Sequence, residues 1–169
     1  MNYSMIEQKS NEDEHRLVEA ISLACMRWQE ATESFDETFG KLHGLNSAER
    51  RCLSVIMRAP QPANAVAKAI GLAPPSVTAL IDRLSGRDLL HRVPDPNDRR
   101  RVLVAPSEKA IRLGREAYGP IAQAGSQMLK QFSKAEKQVI LRFVTQAIEM
   151  QERELERLLQ QDKSSFRPL

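Results

Sequence analysis

Three consecutive arginines, Arg99, Arg100 and Arg101, follow Asp98 in a stretch, Pro94-Asp95-Pro96-Asn97-Asp98, made almost wholly of turn-forming residues. Guanidinium groups at the tip of a turn neutralise phosphates and can enter a narrow minor groove, where the potential of a duplex is most negative. Taken alone, such a run is more often a solvated charge cluster than a binding site. The other reactive side chains offer less. Cys25 and Cys52 sit inside apolar helical patterns without Cys-x-x-Cys spacing, which reads as reduced, buried thiols. His15, His43 and His91 share no spacing suited to a metal, so none is expected. Neither a nucleophile with its base, nor a carboxylate pair in a cleft, nor a phosphate-binding glycine loop is recognisable, so we expect no enzyme and no cofactor.

Bulk composition narrows the class. The chain has 169 residues, 41% hydrophobic and 28% charged, enough for one domain with a real core and too charged for a membrane or fibrous protein. Aromatics are only 5%, a balance that suits helix packing better than a sheet sandwich. No run of about 18 apolar residues exists and the first residues lack the apolar core of a signal peptide, so no membrane role and a cytoplasmic location are expected. The net charge of +3 is mild, but between Gln61 and Ala105 seven basic residues face four acidic ones, an excess equal to that of the whole chain.

The elements that must position these groups follow from periodicity. Residues 1–12 are polar and read as a flexible arm. Leu17, Ile21, Ala24, Trp28, Ala31, Phe35, Thr38 and Leu42 then alternate spacings of four and three, one apolar seam along a helix that ends at Gly44 and needs a partner helix. Asn46-x-x-Glu49 is a capping box opening a second helix to about Arg58, with Leu53, Ile56 and Met57 as its buried side. Pro60 and Pro62 break the chain, Ala65 to Ile70 makes a compact third helix, and Gly71 stops it. A fourth helix starts at Pro74 or Pro75 and runs to about Arg87, with Val77, Leu80, Ile81 and Leu84 on one face. The period then switches to that of two short strands, Leu89 to Val93 and Arg101 to Val104, forming a hairpin with a basic tip. Residues from about 107 to 131 return to helix with a bend near Gly119-Pro120. Ser133-x-x-Glu136 caps a last long helix striped by Val139, Ile140, Phe143, Val144, Ala147, Ile148, Leu155, Leu158 and Leu159. The tail from 162 to 169 reads as loose.

Two short helices joined by a Gly-containing turn and followed by a basic hairpin form a DNA-reading arrangement. The fold class is therefore mainly α with a small β-hairpin wing, a winged helix-turn-helix. Off the apolar stripe of the second, recognition helix lie Pro75, Ser76, Thr78, Ala79, Asp82 and Arg83, with Pro74 at the helix start. Ser76 and Thr78 are small enough to admit the backbone to the major groove, and Arg83 is long enough to reach guanine or a phosphate. With the wing residues Asp98, Arg99, Arg100 and Arg101, these are the candidate DNA contacts.

Ala65-Val-Ala-Lys-Ala-Ile-Gly-Leu-Ala-Pro-Pro-Ser-Val-Thr-Ala-Leu-Ile-Asp-Arg-Leu84 and Pro94-Asp-Pro-Asn-Asp-Arg-Arg-Arg-Val-Leu-Val104 resemble the MarR family of ligand-responsive transcriptional regulators, over roughly residues 13–160. The resemblance implies about six helices, a DNA-binding lobe over about 46–106, and a homodimer built on helices at about 13–43 and 107–160. It also implies an inverted-repeat operator on double-stranded DNA. In the family's wing an Asp-x-Arg motif, matched by Asp98-Arg99-Arg100, has the acid hold the arginine for the minor groove, which makes Arg100 the leading site residue. Ala73 stands where the family often has Ser or Thr, Asp88 where it often has Gly, and Ala110 at another usual Gly. The family mechanism further implies a repressor released by a small aromatic carboxylate or phenolic effector, for which Arg27, Trp28, His43 and Met57 are the candidate pocket. Thiol sensing at Cys25 is the alternative, but its usual tyrosine partners are missing, since the only tyrosines are Tyr3 and Tyr118. A winged helix that docks proteins instead of DNA is the rival from another class, and it would need no basic wing.

Overall fold

The computed structural model describes the backbone of residues 3–165 and the side chains of residues 11–161. Along it run α1 (Tyr3–His43), α2 (Ser47–Arg58), β1 (Gln61–Pro62), α3 (Ala63–Ile70), α4 (Pro74–Gly86), β2 (Leu90–Pro94), β3 (Val102–Pro106), α5 (Glu108–Leu129) and α6 (Lys134–Ser165). The chain divides into two units, Met1–Ala117 and Tyr118–Leu169.

In the first unit, α1 begins at Tyr3, so residues 3–12, expected as a flexible arm, continue the helix. That segment lacks Pro and Gly, and its Met, Glu, Gln and Lys residues lose little freedom in a helix. Most of the predicted seam stays open: Leu17, Ile21, Trp28 and Leu42 are exposed in the single chain, and of the seam residues Phe35 alone is half-buried. Gly44 closes α1 in the left-handed region at φ +59°, and Leu45 N–H donates to Gly40 C=O at 2.8 Å. The turn is tight enough that a Cβ on Gly40 would stand 2.7 Å from the Leu45 carbonyl oxygen and 2.8 Å from Arg50 Nε.

Asn46 and Glu49 form the predicted capping box of α2, each side chain accepting from the other's backbone N–H. The inner face of α2 is Glu49, Cys52 and Ile56, at the i, i+3, i+7 spacing of one helix side. Met57, expected in the core, is 40% exposed, because it lies about 100° around the helix from Ile56. It rests instead against α5, where a Cβ on Gly114 would approach its Cε to 2.9 Å.

Val77, Leu80, Ile81 and Leu84 of α4 all point inward as predicted and meet Ile56, Val66, Ile70, Leu89, Leu90 and Val104 in one core. Truncating one of these fully buried aliphatic side chains to Ala costs about 2–5 kcal/mol in comparable cores. The hairpin is a three-stranded antiparallel sheet in the order β1-β3-β2. Its register pairs Leu90 with Pro106 through Pro94 with Val102, and a third strand absent from the sequence reading pairs Gln61 with Val104 and Pro62 with Leu103. Pro62, read as a breaker, therefore lies in an edge strand, a position where a missing N–H donor is tolerated.

The second unit holds the rest of α5 and α6. α5 continues without interruption through Gly119-Pro120, where the sequence predicts a bend. Ser133 and Glu136 cap α6 reciprocally, and those hydrogen bonds from Ser133 hold the Glu136 carboxyl below its ordinary range. Along α6, Val139, Phe143, Ile148, Leu155, Leu158 and Leu159 are exposed, while Ile140, Val144 and Ala147 are half-buried. The helix extends to Ser165, into the stretch 162–169 predicted as a loose tail, and residues 166–169 lie outside those described. Among the described residues, no helix is long and apolar enough to cross a membrane.

Candidate nucleic-acid interface

The turn between α3 and α4 sets the first half of the site. Gly71 takes φ +70° and, with Leu72, returns N–H groups to the Ala67 carbonyl, a left-handed stop only glycine adopts at no steric cost. The chain then enters α4 through Ala73, which has no side chain able to cap it. Pro74 and Pro75 compensate, since two of the N–H groups that a helix start leaves unpaired are simply missing. The same substitution has a chemical consequence: neither proline donates, so the tip of α4 offers ring surface to sugars or a thymine methyl rather than an amide cradle for a phosphate.

Ser76, Thr78, Ala79, Asp82 and Arg83 are all exposed on α4, on the face opposite the core. Thr78 Oγ1 donates back to Pro74 C=O at 3.1 Å, leaving its methyl outward-capable and its hydroxyl oxygen able to accept. Arg83, which the sequence reading gives to guanine or a phosphate, also has a partner within the protein. Its Nε donates to Glu49 Oε1 at 3.3 Å, from a side chain 55% exposed to one 7% exposed. The arginine thus braces α4 against α2 through an acid already used in the capping box. Its outer nitrogens are what is left for a ligand.

The wing is built by its aspartates. Asp95, only 8% exposed, accepts from Asn97 N–H at 2.9 Å and sits 3.8 Å from Arg101 Nε. Its backbone N–H donates to Arg101 C=O at 3.0 Å, closing the hairpin. Asp98 Oδ1 accepts from the backbone N–H of Arg100 at 3.0 Å, and Asp98 C=O accepts from Arg101 N–H at 2.9 Å. Asp98 therefore holds Arg100 through its backbone N–H and shapes the turn that presents it. Arg99 and Arg100 are exposed and, among the described residues, neither has an ion-pair partner.

Two further contacts were not foreseen. Arg92 on β2 donates to Asp82 Oδ1 at 2.8 Å, joining wing to recognition helix. Beyond the end of α4, Arg87 donates through Nη1 to Gly44 C=O at 2.8 Å and through Nη2 to His43 C=O at 2.6 Å. Sequence spacing gave no signal for either, because the partners are brought together only by tertiary folding. Of the seven cations between Gln61 and Ala105, Arg83, Arg92 and Arg101 are thus tied to carboxylates and Arg87 to carbonyls, leaving Lys68, Arg99 and Arg100.

The four residues offered as a ligand pocket do not meet in one chain. Arg27 and Trp28 lie mid-way along α1, Trp28 being 64% exposed. His43 is fifteen residues further on the same continuous helix, a separation of about 22 Å at 1.5 Å per residue, and its ring packs at a tilt against Phe39, with centroids 4.6 Å apart. Cys52 is fully buried, and burial, with Glu49 nearby, pushes its thiol up to about 11. Among the described residues, no group of three or more His, Cys, Asp or Glu side chains is placed to hold a metal ion.

The MarR family profile matches residues 43–101, the lobe just described. The HTH-type transcriptional regulator YcgE of Bacillus subtilis is 32% identical over 130 residues, 76% of this chain and 84% of that protein. Of solved structures, a MepR mutant from a multidrug-resistant S. aureus clinical isolate aligns with a TM-score of 0.60 at 16% identity, over 77% of this chain and 96% of that one. Another S. aureus MepR mutant, bound to an oligodeoxyribonucleotide, aligns with a TM-score of 0.50 at 19% identity, over 78% and 96%. Fold and site together define a winged helix-turn-helix regulator of transcription. The chain belongs to the MarR family.

Proposed function

We propose that this regulator acts in the cytoplasm as a homodimer on an inverted-repeat operator, with α4 of each copy in the major groove and Arg99 and Arg100 of each wing in the flanking minor groove. The observation that carries the reading is the exposed, unpaired guanidinium pair at a wing tip whose geometry Asp95 and Asp98 fix. Ser76, Thr78, Ala79 and the prolines supply close approach, and Arg83 a phosphate contact through its outer nitrogens. Half-sites about 10 bp apart follow from two-fold placement of recognition helices one DNA turn apart. The open apolar faces of α1 and of α6 support association with a second copy, which would cover them. The MepR relative solved with an oligodeoxyribonucleotide supports duplex DNA as the ligand. Release by a small aromatic or phenolic acid rests on the ligand response typical of the family. A pocket uniting Arg27 and Trp28 with His43 and Met57 would need residues from both copies.

Fluorescence anisotropy on a labelled random duplex tests the central claim. Affinity should fall steeply with salt, and Arg100→Ala should weaken binding about 10- to 100-fold and reduce the salt slope by about one, whereas Glu152→Ala should change neither. Equal affinities for the two variants would favour the protein-docking reading instead.

A further inference from the structure

The end of the recognition helix is held to α1 by one side chain. α4 finishes at Gly86, and Arg87 next to it reaches back across more than forty residues of sequence to bind the carbonyls of His43, the last residue of α1, and of Gly44 just beyond it. A guanidinium is the group able to do this, because its planar fork presents two parallel donors to two neighbouring acceptors and its charge complements the negative end of the α1 dipole. The clasp does not depend on glycine at 44 for space, since a Cβ there would stay 3.7 Å from Arg87 Nη2. The far side of the same residue is also fastened. Lys109 Nζ donates to Arg87 C=O at 2.8 Å, and Ser107 Oγ to Asp88 C=O at 2.7 Å, so the backbone that leaves α4 is pinned at the start of α5. Asp88 is held at φ +55°, the one non-glycine residue with positive φ among those described.

We infer that Arg87 is a positioning residue that fixes the angle of the recognition helix on α1, and thereby sets the half-site spacing the regulator accepts. The inference rests on the dimeric operator reading given above. If α1 belongs to the scaffold that joins two copies, the distance between their recognition helices depends on how rigidly each α4 is carried by its α1. Four buried side chains, Val77, Leu80, Ile81 and Leu84, fix where α4 sits, but Arg87 is the polar clasp between the two helix ends. It faces carbonyls rather than solvent-borne phosphate, so its loss should change geometry and not the number of phosphates neutralised.

Selection of bound duplexes from a randomised library, run in parallel with the full-length protein and with Arg87→Ala and Arg87→Lys, separates the alternatives. Lys keeps the charge but lacks the rigid planar fork that meets both carbonyls with parallel donors. For the unaltered protein we expect one inverted repeat at one spacing, with a preference of about tenfold over the spacing one base pair longer. In both variants the half-site sequence should persist while that preference shrinks to within about threefold, the slope of affinity against salt staying unchanged. An unchanged single spacing in Arg87→Ala would overturn the inference, and so would a smaller salt slope, which would make Arg87 a phosphate ligand. Equal weakening at every spacing would overturn it too, as the mark of simple destabilisation, with thermal melts showing how much fold was lost. A pool from the unaltered protein without any inverted repeat would instead sink the dimeric operator reading, and this inference with it.

Discussion

At the scale of single residues, the site contrasts arginines that hold the protein together with arginines that are free to hold something else. Arg83, Arg92 and Arg101 are bound to carboxylates, and only geometry distinguishes them from Arg99 and Arg100 a few residues away. Composition counted all of these cations equally, which is why the sequence located the basic surface but gave no sign that Arg83 is also tied to Glu49. Cys52 carries a cleaner signature. Its thiol is raised from 9.0 to about 11 by burial, so between those values the unfolded chain loses its proton first and the folded state loses stability as pH rises. Below about pH 9 the thiol contributes no slope. Urea unfolding should therefore show a fall of about 2–3 kcal/mol from pH 9 to 11 that is absent in Cys52→Ala. In the native protein at pH 8, Cys52 should resist thiol reagents until denaturant is added.

At the scale of elements, the helices and the hairpin were legible because each announces itself locally. The capping boxes at Asn46 and Ser133, the glycine stops at Gly44 and Gly71, and the change of hydrophobic period near Leu89 all name their own neighbours in sequence. β1 escaped, since two residues carry no period and their pairing with Val104 and Leu103 depends on a strand more than forty residues away. The helical start of α1 escaped for another reason: a polar segment without an apolar stripe looks like an arm whether or not it is wound into a helix. Asp88 gives an element-level prediction. It occupies a left-handed position after α4, where Asp tolerates the strain less well than Gly. Asp88→Gly should raise stability by about 0.5–1 kcal/mol in thermal or urea melts, since Ser107 bonds only the backbone carbonyl there.

At the scale of the molecule, the buried core belongs to the DNA-reading lobe, and the long helices contribute little to it. Leu17, Ile21 and Trp28 on α1 and Phe143, Ile148 and Leu155 on α6 are large apolar side chains left exposed in the single chain, the kind of surface that association covers. Light scattering should find a dimer. Ile21→Glu combined with Trp28→Glu should shift it toward monomer, keep the helical circular dichroism, and weaken operator binding at least about tenfold, because the two half-sites would then bind independently. A monomeric starting protein with undiminished operator affinity would refute the paired arrangement.

The carboxylates that occupy three arginines of the lobe bear on how a cell would use the protein. With three of the seven cations of the central stretch already paired, the protein should adhere less strongly to arbitrary stretches of chromosome than its basic count suggests. Weaker adhesion leaves a larger share of molecules free to search, so few copies per cell should suffice to keep a single promoter occupied.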